Sequence, residues 1–209
     1  SGGAGILADV KAMSALGAYG CAIIAALTAQ NTQGVTGISP VPPAFVGLQI
    51  DTLFTDVRID AVKIGMLGQR PVIEVVAEKL AKWAPAHVVL DPVMVAKSGD
   101  LLLEKEAVGA MREAMLPQAT LLTPNLPEAG VLLEERPVET VKEMRRVAER
   151  LRNKLAHSGE RWVLVKGGHL PGNETIDLLH DGDRMIELPG HRIETVNTHG
   201  TGCTLSAAL

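Results

Sequence analysis

The sequence predicts an α/β protein: a three-layer sandwich with a mostly parallel central sheet, helices on both faces and a β-hairpin at one sheet edge. Segments with helical periodicity alternate with short apolar runs along the chain. These runs are hydrophobic at consecutive positions, which is typical of strands buried on both faces. The 209 residues are 46% hydrophobic and 21% charged, so they suffice for one domain around a single core.

The first half of the chain predicts three helices, each followed by a strand. Apolar residues recur with helical spacing, Gly17 ends the first helix and Pro43 begins the second. The predicted helices cover residues 6–16, 43–53 and 72–83. The predicted strands cover residues 21–27, 61–65 and 87–91. This order of elements favours parallel strands joined by right-handed crossovers.

The second half repeats the alternation and then departs from it. Helices and strands are predicted, in order, at residues 108–115, 119–123, 141–155 and 162–166. Basic residues within 142–154 fall opposite an apolar stripe, so we interpret them as a solvated helix face rather than an anion site. Asp181-Gly182 divides the segment 175–188 into two strand-like halves, which predicts an antiparallel hairpin at a sheet edge.

Composition and charge exclude two classes of partner. The net charge is −4 and aromatic residues make up 2% of the chain, so the basic surface and stacking rings typical of nucleic-acid binding are lacking. The longest apolar stretch, 18–29, is well short of the about 20 residues that span a bilayer. The two cysteines, Cys21 and Cys203, form no metal-binding pair, which favours a reducing cytoplasm.

Polar residues follow most of the predicted strands. In a parallel α/β sheet the ligand site lies beyond the carboxyl ends of the strands, so these residues are predicted to meet at one edge. They are Gln30, Asn31, Asp91, Asn125, Glu128 and Lys166, and Gly65-Met66 follows one further strand. Each is weak evidence alone, since Asp91 could cap a turn and Lys166 could be a surface lysine. Five polar strand ends together favour a binding site over ordinary packing.

Two glycine-rich segments, one near each end of the chain, are candidate phosphate sites. Gly200 and Gly202 can turn the backbone with its N–H groups exposed, and a helix predicted from Thr204 directs its positive end at that turn. The alternative is a glycine turn that only caps the helix. Residues 1–5 form a second such segment, although the chain has neither a Walker lysine motif nor a GxGxxG fingerprint after a strand.

Eight short motifs lie in close succession along the chain. They are SGGAG at 1–5, AQN at 29–31, KIGML at 63–67, VLDPVM at 89–94, KSG at 97–99, TPNLPE at 123–128, VKGGH at 165–169 and THGTGCTLSAA at 198–208. Together they resemble the bacterial hydroxymethylpyrimidine/phosphomethylpyrimidine kinases of thiamine biosynthesis, which are ribokinase-like. We therefore expect residues 1–209 to form a single ribokinase-like kinase domain that lacks the family's first strand and C-terminal helices.

The resemblance implies a kinase that uses ATP and Mg²⁺ to phosphorylate 4-amino-5-hydroxymethyl-2-methylpyrimidine and then its monophosphate. The residues that it implies for magnesium are Asp91 and Glu128, and those for ATP are Lys166, Asn125 and Thr198. The residues that it implies around the pyrimidine are Asp9, Thr28, Gln30, Met66 and Val93. The residues that it implies at the catalytic anion site are Gly200, Thr201, Gly202 and Cys203. Phosphoryl transfer needs charge neutralisation and in-line positioning, which such residues can supply.

Cys203 is the main departure from the wider superfamily. Ribokinase relatives usually carry Asp at this position, where it accepts the hydroxyl proton, whereas Cys is typical of pyrimidine kinases and occurs in some pyridoxal kinases. Pyridoxal kinase is therefore an alternative function, and a non-catalytic pyrimidine-binding module is an alternative of another class. Without its neighbouring glycines, Cys203 would be interpreted as a small buried hydrophobic residue. The resemblance also implies a homodimer.

Overall fold

A computed structural model describes residues 2–94, 103, 105–136, 138–172, 174–195 and 197–209. Its helices are α1 (Ile6–Ala15), α2 (Pro43–Asp56), α3 (Arg70–Trp83), α4 (Lys105–Ala110), α5 (Leu126–Leu133), α6 (Val141–Arg152) and α7 (Thr201–Ala208). Its strands are β1 (Ala26–Gln30), β2 (Val35–Pro40), β3 (Ala61–Ile64), β4 (His87–Leu90), β5 (Leu121–Leu122), β6 (Trp162–Val165), β7 (Glu174–His180) and β8 (Met185–His191). A π-helical turn, Met111–Met115, and a 3₁₀ turn, Leu116–Gln118, follow α4.

The main sheet has six strands in the order β3-β4-β5-β6-β7-β8. Strands β3 to β6 are parallel, whereas β6, β7 and β8 pair antiparallel. The Asp181 carboxylate holds the turn between β7 and β8, because its Oδ1 accepts hydrogen bonds from the N–H groups of Asp183 and Arg184 at 2.9 and 2.7 Å. The predicted parallel sheet and edge hairpin are both confirmed.

Helices cover both faces of the parallel strands. Consecutive residues of a strand point to opposite faces, and Val88, Val89 and Leu90 of β4 are all buried. The last three residues of β6 are buried in the same way. Helix α3 packs against α2 and α4, while α6 packs against α5 and β6. Consecutive apolar residues in the strands thus correctly predict a sheet enclosed between two helical layers.

The predicted strand at 21–27 is wrong in position and in pairing. The strand in this region is β1, which pairs antiparallel with β2 in a separate two-stranded ribbon. The chain reverses because Asn31 Oδ1 accepts hydrogen bonds from the N–H groups of Gln33 and Gly34 at 2.8 and 3.0 Å. An apolar run alone does not distinguish a strand from an apolar loop that lines a cavity.

Three other predicted boundaries differ from the observed ones. Helix α7 begins three residues before the predicted start at Thr204, directly after Gly200, whose φ is 80°. Helix α5 forms in a segment that the sequence predicts only as a polar strand end. Strand β5, Leu121–Leu122, is shorter than the predicted 119–123, although the N–H groups of Thr120 and Thr123 still donate hydrogen bonds to the carbonyl oxygens of Val88 and Leu90 at 2.9 and 3.0 Å.

The remaining predicted helices are confirmed with small changes at their ends, and the helix predicted at 108–115 is α4 with its π-helical continuation. The basic residues of α6 are exposed except Arg152, which is half-buried, whereas the side chains on the opposite stripe, Met144, Val147 and Leu151, are buried. The predicted solvated face is therefore confirmed. Within the described residues, no helix is both long and apolar enough to cross a bilayer.

Candidate active site

One cavity of about 1090 Å³ opens at the carboxyl ends of the parallel strands, between α1, the β1–β2 ribbon and α7. All the residues that the sequence assigns to the site line it: Asp9, Thr28, Gln30, Met66, Asp91, Val93, Asn125, Glu128, Lys166, Thr198, Gly200, Thr201, Gly202 and Cys203. The structure thus brings together residues that lie far apart in the sequence. The KSG motif at 97–99 lies outside the described residues.

Asp91 follows β4, and its side chain is 2% exposed. Its Oδ1 accepts hydrogen bonds from Lys166 Nζ at 3.0 Å and from the Thr123 hydroxyl at 3.1 Å, and its Oδ2 accepts one from the Ser206 hydroxyl at 3.2 Å. These partners come from the ends of β6 and β5 and from α7. Lys166 is therefore half of a largely buried ion pair and not a surface lysine, and Asp91 does more than cap a turn.

Glu128 lies near this ion pair, in the first turn of α5. Its Oε2 accepts a hydrogen bond from the N–H of Asn125, and Asn125 Oδ1 accepts one from the N–H of Glu128, both at 2.8 Å. This capping box begins the helix and fixes the carboxyl group. Burial raises the pKa of Glu128 to about 7, although the Lys166 ammonium favours the ionised form. The group can therefore change its protonation state near neutral pH.

The first turn of α7 lies over the ion pair. A Cβ on Gly202 would lie 3.5 Å from Lys166 Nζ and 4.0 Å from Asp91 Oδ2. Gly202 is thus inside the helix, and the prediction that it forms part of the preceding turn is wrong. A Cβ on Gly200 would lie 1.5 Å from the carbonyl oxygen of Gly3. The two glycine-rich segments, at opposite ends of the chain, therefore meet at one side of the cavity.

Backbone N–H groups in the first turn of a helix have no acceptor within the helix. Those of Gly202 and Cys203 belong to this set, and the first intrahelical bond runs from the N–H of Thr204 to the carbonyl of Gly200 at 2.9 Å. The positive end of the helix dipole lies at the same place. With the Lys166 ammonium below it, this turn suits an anionic phosphoryl group.

The other end of the cavity, toward α1 and the ribbon, is largely apolar. Met66 and Val93 follow β3 and β4 and are half-buried. Gln30 and Thr28 reach the cavity from β1, which belongs to the ribbon. The prediction that Gln30 lies at the edge of the main sheet is therefore wrong. The ribbon nevertheless folds over that edge and brings Gln30 to the same cavity.

Lys63 lines the cavity but is absent from the residues that the sequence assigns to it. Its Nζ lies 2.8 Å from both carboxylate oxygens of Asp9, and its side chain is 4% exposed. A signal for it was available, since Lys63 is a charge within the otherwise apolar run 61–65. A charge in a strand that is covered on both faces requires a partner.

The carboxylates of this cavity suit a magnesium ion that takes most of its ligands from water and from substrate phosphates. Proteins usually hold Mg²⁺ by one or two carboxylates, with waters and substrate phosphates completing its coordination. Asp91 and Glu128 supply two carboxyl groups beside a phosphate-binding helix end. Across the part of the chain that the structure describes, no three His, Cys, Asp or Glu side chains form a group that could hold a metal by themselves. The residues present therefore fit an ion that the phosphates help to bind.

The fold and the cavity place this chain among the ribokinase-like small-molecule kinases, because a helix N-terminus, a lysine and an apolar pocket share one cavity at the carboxyl edge of a parallel sheet. Sequence comparison identifies the family within this class of kinases. The sequence model of the phosphomethylpyrimidine kinase family matches residues 1–209. The chain belongs to that family.

Relatives with known names agree with this membership. The hydroxymethylpyrimidine/phosphomethylpyrimidine kinase of Escherichia coli K12 is 53% identical over 211 residues, which cover 100% of this chain and 77% of that protein. The crystal structure of phosphomethylpyrimidine kinase from Clostridium difficile 630 is similar with 38% identity and a TM-score of 0.85, covering 100% and 83% of the two chains. An ADP complex of Bacillus subtilis pyridoxal kinase is similar with 32% identity and a TM-score of 0.87, covering 99% and 76%.

Proposed function

We propose that this chain is an ATP-dependent kinase of thiamine biosynthesis. It phosphorylates the hydroxymethyl group of 4-amino-5-hydroxymethyl-2-methylpyrimidine and then converts the monophosphate to the diphosphate. The observation that carries the proposal is the Asp91–Lys166 ion pair beneath the first turn of α7, in one cavity with Gln30 and the apolar pocket. Family membership and the names of the relatives support this choice of substrate.

Lys166 and the first turn of α7 bind the phosphates of ATP. A phosphoryl group in transfer carries negative charge on its oxygens, so catalysis depends on positioning and on charge stabilisation. The Lys166 ammonium and the N–H groups of Gly202 and Cys203 supply that stabilisation without rearrangement. Asn125 and Thr198 line the same end and contact the nucleotide phosphates or their magnesium.

Asp91 and Glu128 are the residues that would hold Mg²⁺. A magnesium ion bound there neutralises charge on the phosphate oxygens. Asp91 is oriented for this task by Lys166 and Thr123, and Glu128 is oriented by the backbone of Asn125. The approach of a cation favours the ionised form of Glu128, which burial otherwise disfavours.

The apolar end of the cavity binds the pyrimidine ring. The side-chain amide of Gln30 offers both a donor and an acceptor, which matches the polar edge of an aminopyrimidine, and the backbone near Thr28 extends that edge. Met66 and Val93 contact the faces of the ring. Asp9 adds a carboxylate acceptor for an amino or hydroxyl donor.

Cys203 serves the hydroxymethyl group of the acceptor, either as its proton acceptor or as a positioning group. It is the third residue of α7, is half-buried and lines the cavity. It belongs to the same first turn of α7 that we assign to the phosphoryl group, and the acceptor oxygen must approach that group.

Residues 1–209 act as one kinase domain in a cytoplasmic homodimer. Free cysteines suit a reducing compartment. The ribbon and α2 expose apolar side chains that a second copy could cover: Leu27, Ile38, Phe45 and Leu48. Light scattering of the purified protein tests this assembly. A mass of two chains supports the dimer, and a mass of one chain contradicts it.

Turnover with three acceptors, measured side by side, tests the proposed activity. ADP release is followed with the hydroxymethylpyrimidine, with its monophosphate and with pyridoxal. The proposal predicts a higher kcat/KM for both pyrimidines than for pyridoxal. The reverse order would assign the pyridoxal kinase alternative. Tight binding of the pyrimidine with no ADP release from any acceptor would instead indicate a non-catalytic binding module.

A further inference from the structure

A buried ion pair joins β3 to α1 at the apolar end of the cavity. Lys63 Nζ lies 2.8 Å from Oδ1 and 2.8 Å from Oδ2 of Asp9, so one ammonium group contacts both oxygens of the carboxylate. The side chains are 4% and 15% exposed, respectively. The partners are 54 positions apart in the sequence, and both line the cavity. The fold therefore places this ion pair at the wall of the cavity and shields it from bulk water.

The backbone after Lys63 leaves room for its ammonium group. A Cβ on Gly65 would lie 3.3 Å from Lys63 Nζ, which is tighter than an ordinary contact. The neighbouring strand residue Ile64 is buried in the apolar core. Burying an ammonium group in such surroundings is costly unless a carboxylate compensates it. A lysine that served packing alone would be replaceable by an apolar side chain at lower cost.

The electrostatic surroundings of Asp9 make Lys63 decisive for its charge. Burial raises the pKa of Asp9, and the nearby Asp91 carboxylate acts in the same direction. The hydrogen bonds and charge of Lys63 oppose both effects. Helix α7 packs against α1 but contains no charged residue. Among the residues that the structure describes, Lys63 is the cation that contacts Asp9 and favours its ionised form.

We propose that Lys63 is a positioning residue that holds Asp9 as an oriented carboxylate, so that Asp9 accepts a hydrogen bond from the amino or hydroxymethyl donor of a neutral heteroaromatic substrate. This inference rests on the proposed function for the identity of the donor. A carboxylate fixed from one side by an ammonium group keeps acceptor lone pairs for a second partner. The substrate class selected in this way carries an N–H or O–H group beside its ring.

The Lys63→Met variant distinguishes a role in orienting Asp9 for the substrate from a purely structural role in joining α1 to β3. We expect KM for the hydroxymethylpyrimidine to rise about tenfold or more near pH 6 while KM for ATP stays unchanged. Each KM is divided by the wild-type value at the same pH, which removes the titration of the substrate itself. The ratio should fall as pH rises, because loss of the lysine raises the pKa of Asp9 further and a higher pH restores the carboxylate. A ratio near one, or a raised ratio that does not change with pH, would overturn the proposal.

Two further variants complete the test. Lys82→Met, which removes an exposed lysine paired with Asp51 outside the cavity, is the matched control and should keep a ratio near one. The double variant Lys63→Met/Asp9→Asn contains a neutral pair and should fold even if Lys63→Met does not. It should show a raised ratio that is flat with pH, and a wild-type KM in it would overturn the proposal. If wild-type protein prefers pyridoxal, the proposed function fails, while the same ratios measured with pyridoxal still test Lys63.

Discussion

The carbonyl oxygen of Gly3 occupies the position where a side chain of Gly200 would begin. A Cβ on Gly200 would lie 1.5 Å from that oxygen, and Gly200 also has a φ of 80°, which L side chains rarely adopt. The close approach brings α1 and α7 together and places the first turn of α7 over Asp91 and Lys166. The geometry of the proposed phosphate site therefore depends on contact between the two glycine-rich segments.

Gly200→Ala should lower the free energy of unfolding by more than the about 1 kcal/mol expected for an alanine at positive φ alone. It should also lower kcat, because α7 must move away from Gly3. Urea unfolding and steady-state turnover measure both effects. The matched control is Gly159→Ala, whose φ is 73° and whose Cβ would be 3.7 Å from its nearest neighbour. Equal losses in the two variants would show that the contact with Gly3 does not matter.

Lys166→Met should reduce kcat by about 100-fold or more, because the ammonium group stabilises charge on the transferred phosphoryl group. It should also destabilise the fold by about 3 kcal/mol, since Asp91 is left buried without its cation. Initial rates and thermal unfolding test the two effects separately. Lys142→Met, an exposed lysine on α6, should leave both unchanged. Normal turnover by the Lys166 variant would remove this lysine from the mechanism.

Asp91→Asn should raise the magnesium concentration needed for half-maximal activity by about tenfold or more, a size typical of losses around metal sites. The measurement is a magnesium titration of initial rate at saturating ATP. Asp51→Asn removes a carboxylate that does not itself line the cavity and serves as the control. The same magnesium dependence in wild type and in the Asp91 variant would contradict the assignment of Asp91 to the metal.

Glu128 makes stability depend on pH in a defined direction. Burial raises its pKa from 4.5 to about 7, so between these values the folded protein keeps a proton that the unfolded chain releases. Stability is therefore expected to fall as pH rises from about 4.5 to about 7. Urea unfolding of wild type and Glu128→Gln, without magnesium, measures this effect. The Gln variant should show a flatter profile across that range, and identical profiles would contradict it.

Cys203→Ala should reduce kcat by about 100-fold with little loss of stability, as removal of a general base typically does. Cys203→Asp should retain more activity than Cys203→Ala. Iodoacetamide should label the wild-type thiol, and bound substrate should protect it. Cys21→Ala is the control, since Cys21 is also half-buried and also lines the cavity. Normal turnover in Cys203→Ala would show that Cys203 has no catalytic role and that catalysis depends on the first turn of α7 and on Lys166.

The sheet and most helices could be predicted because their signals are local. Apolar periodicity identified α2, α3 and α6, and consecutive apolar residues identified β4 and β6. The ribbon could not be predicted in this way, because the reversal at Asn31 depends on side-chain hydrogen bonds to two following N–H groups. Helix α5 was hidden for a related reason. Its start depends on the reciprocal hydrogen bonds between Asn125 and Glu128. In the sequence these two residues were interpreted only as ligand-binding groups and not as a helix cap.

Met66, Asp91, Glu128 and Lys166 could be foreseen at the cavity, because the carboxyl ends of parallel strands share one edge. Asp9, Thr28 and Thr198 came only from the family resemblance. Lys63 was not foreseen at the cavity, although its charge within an apolar strand was visible in the sequence. Its partner Asp9 lies on a different element, and only the fold shows that the two meet. The meeting of Gly3 with Gly200 was likewise beyond sequence reasoning, since no local pattern relates segments from opposite ends of a chain.

The proposed reaction of this cavity is transfer of phosphate from ATP to the hydroxymethyl group of the pyrimidine and then to the monophosphate. The most direct measurement is a ³¹P NMR time course of the protein with ATP, magnesium and the hydroxymethylpyrimidine, with Lys166→Met in parallel. Wild-type protein should produce the monophosphate first and the diphosphate afterwards, each with matching release of ADP, while the variant produces little of either. Release of inorganic phosphate without a phosphorylated pyrimidine, or equal product from both proteins, would contradict the account.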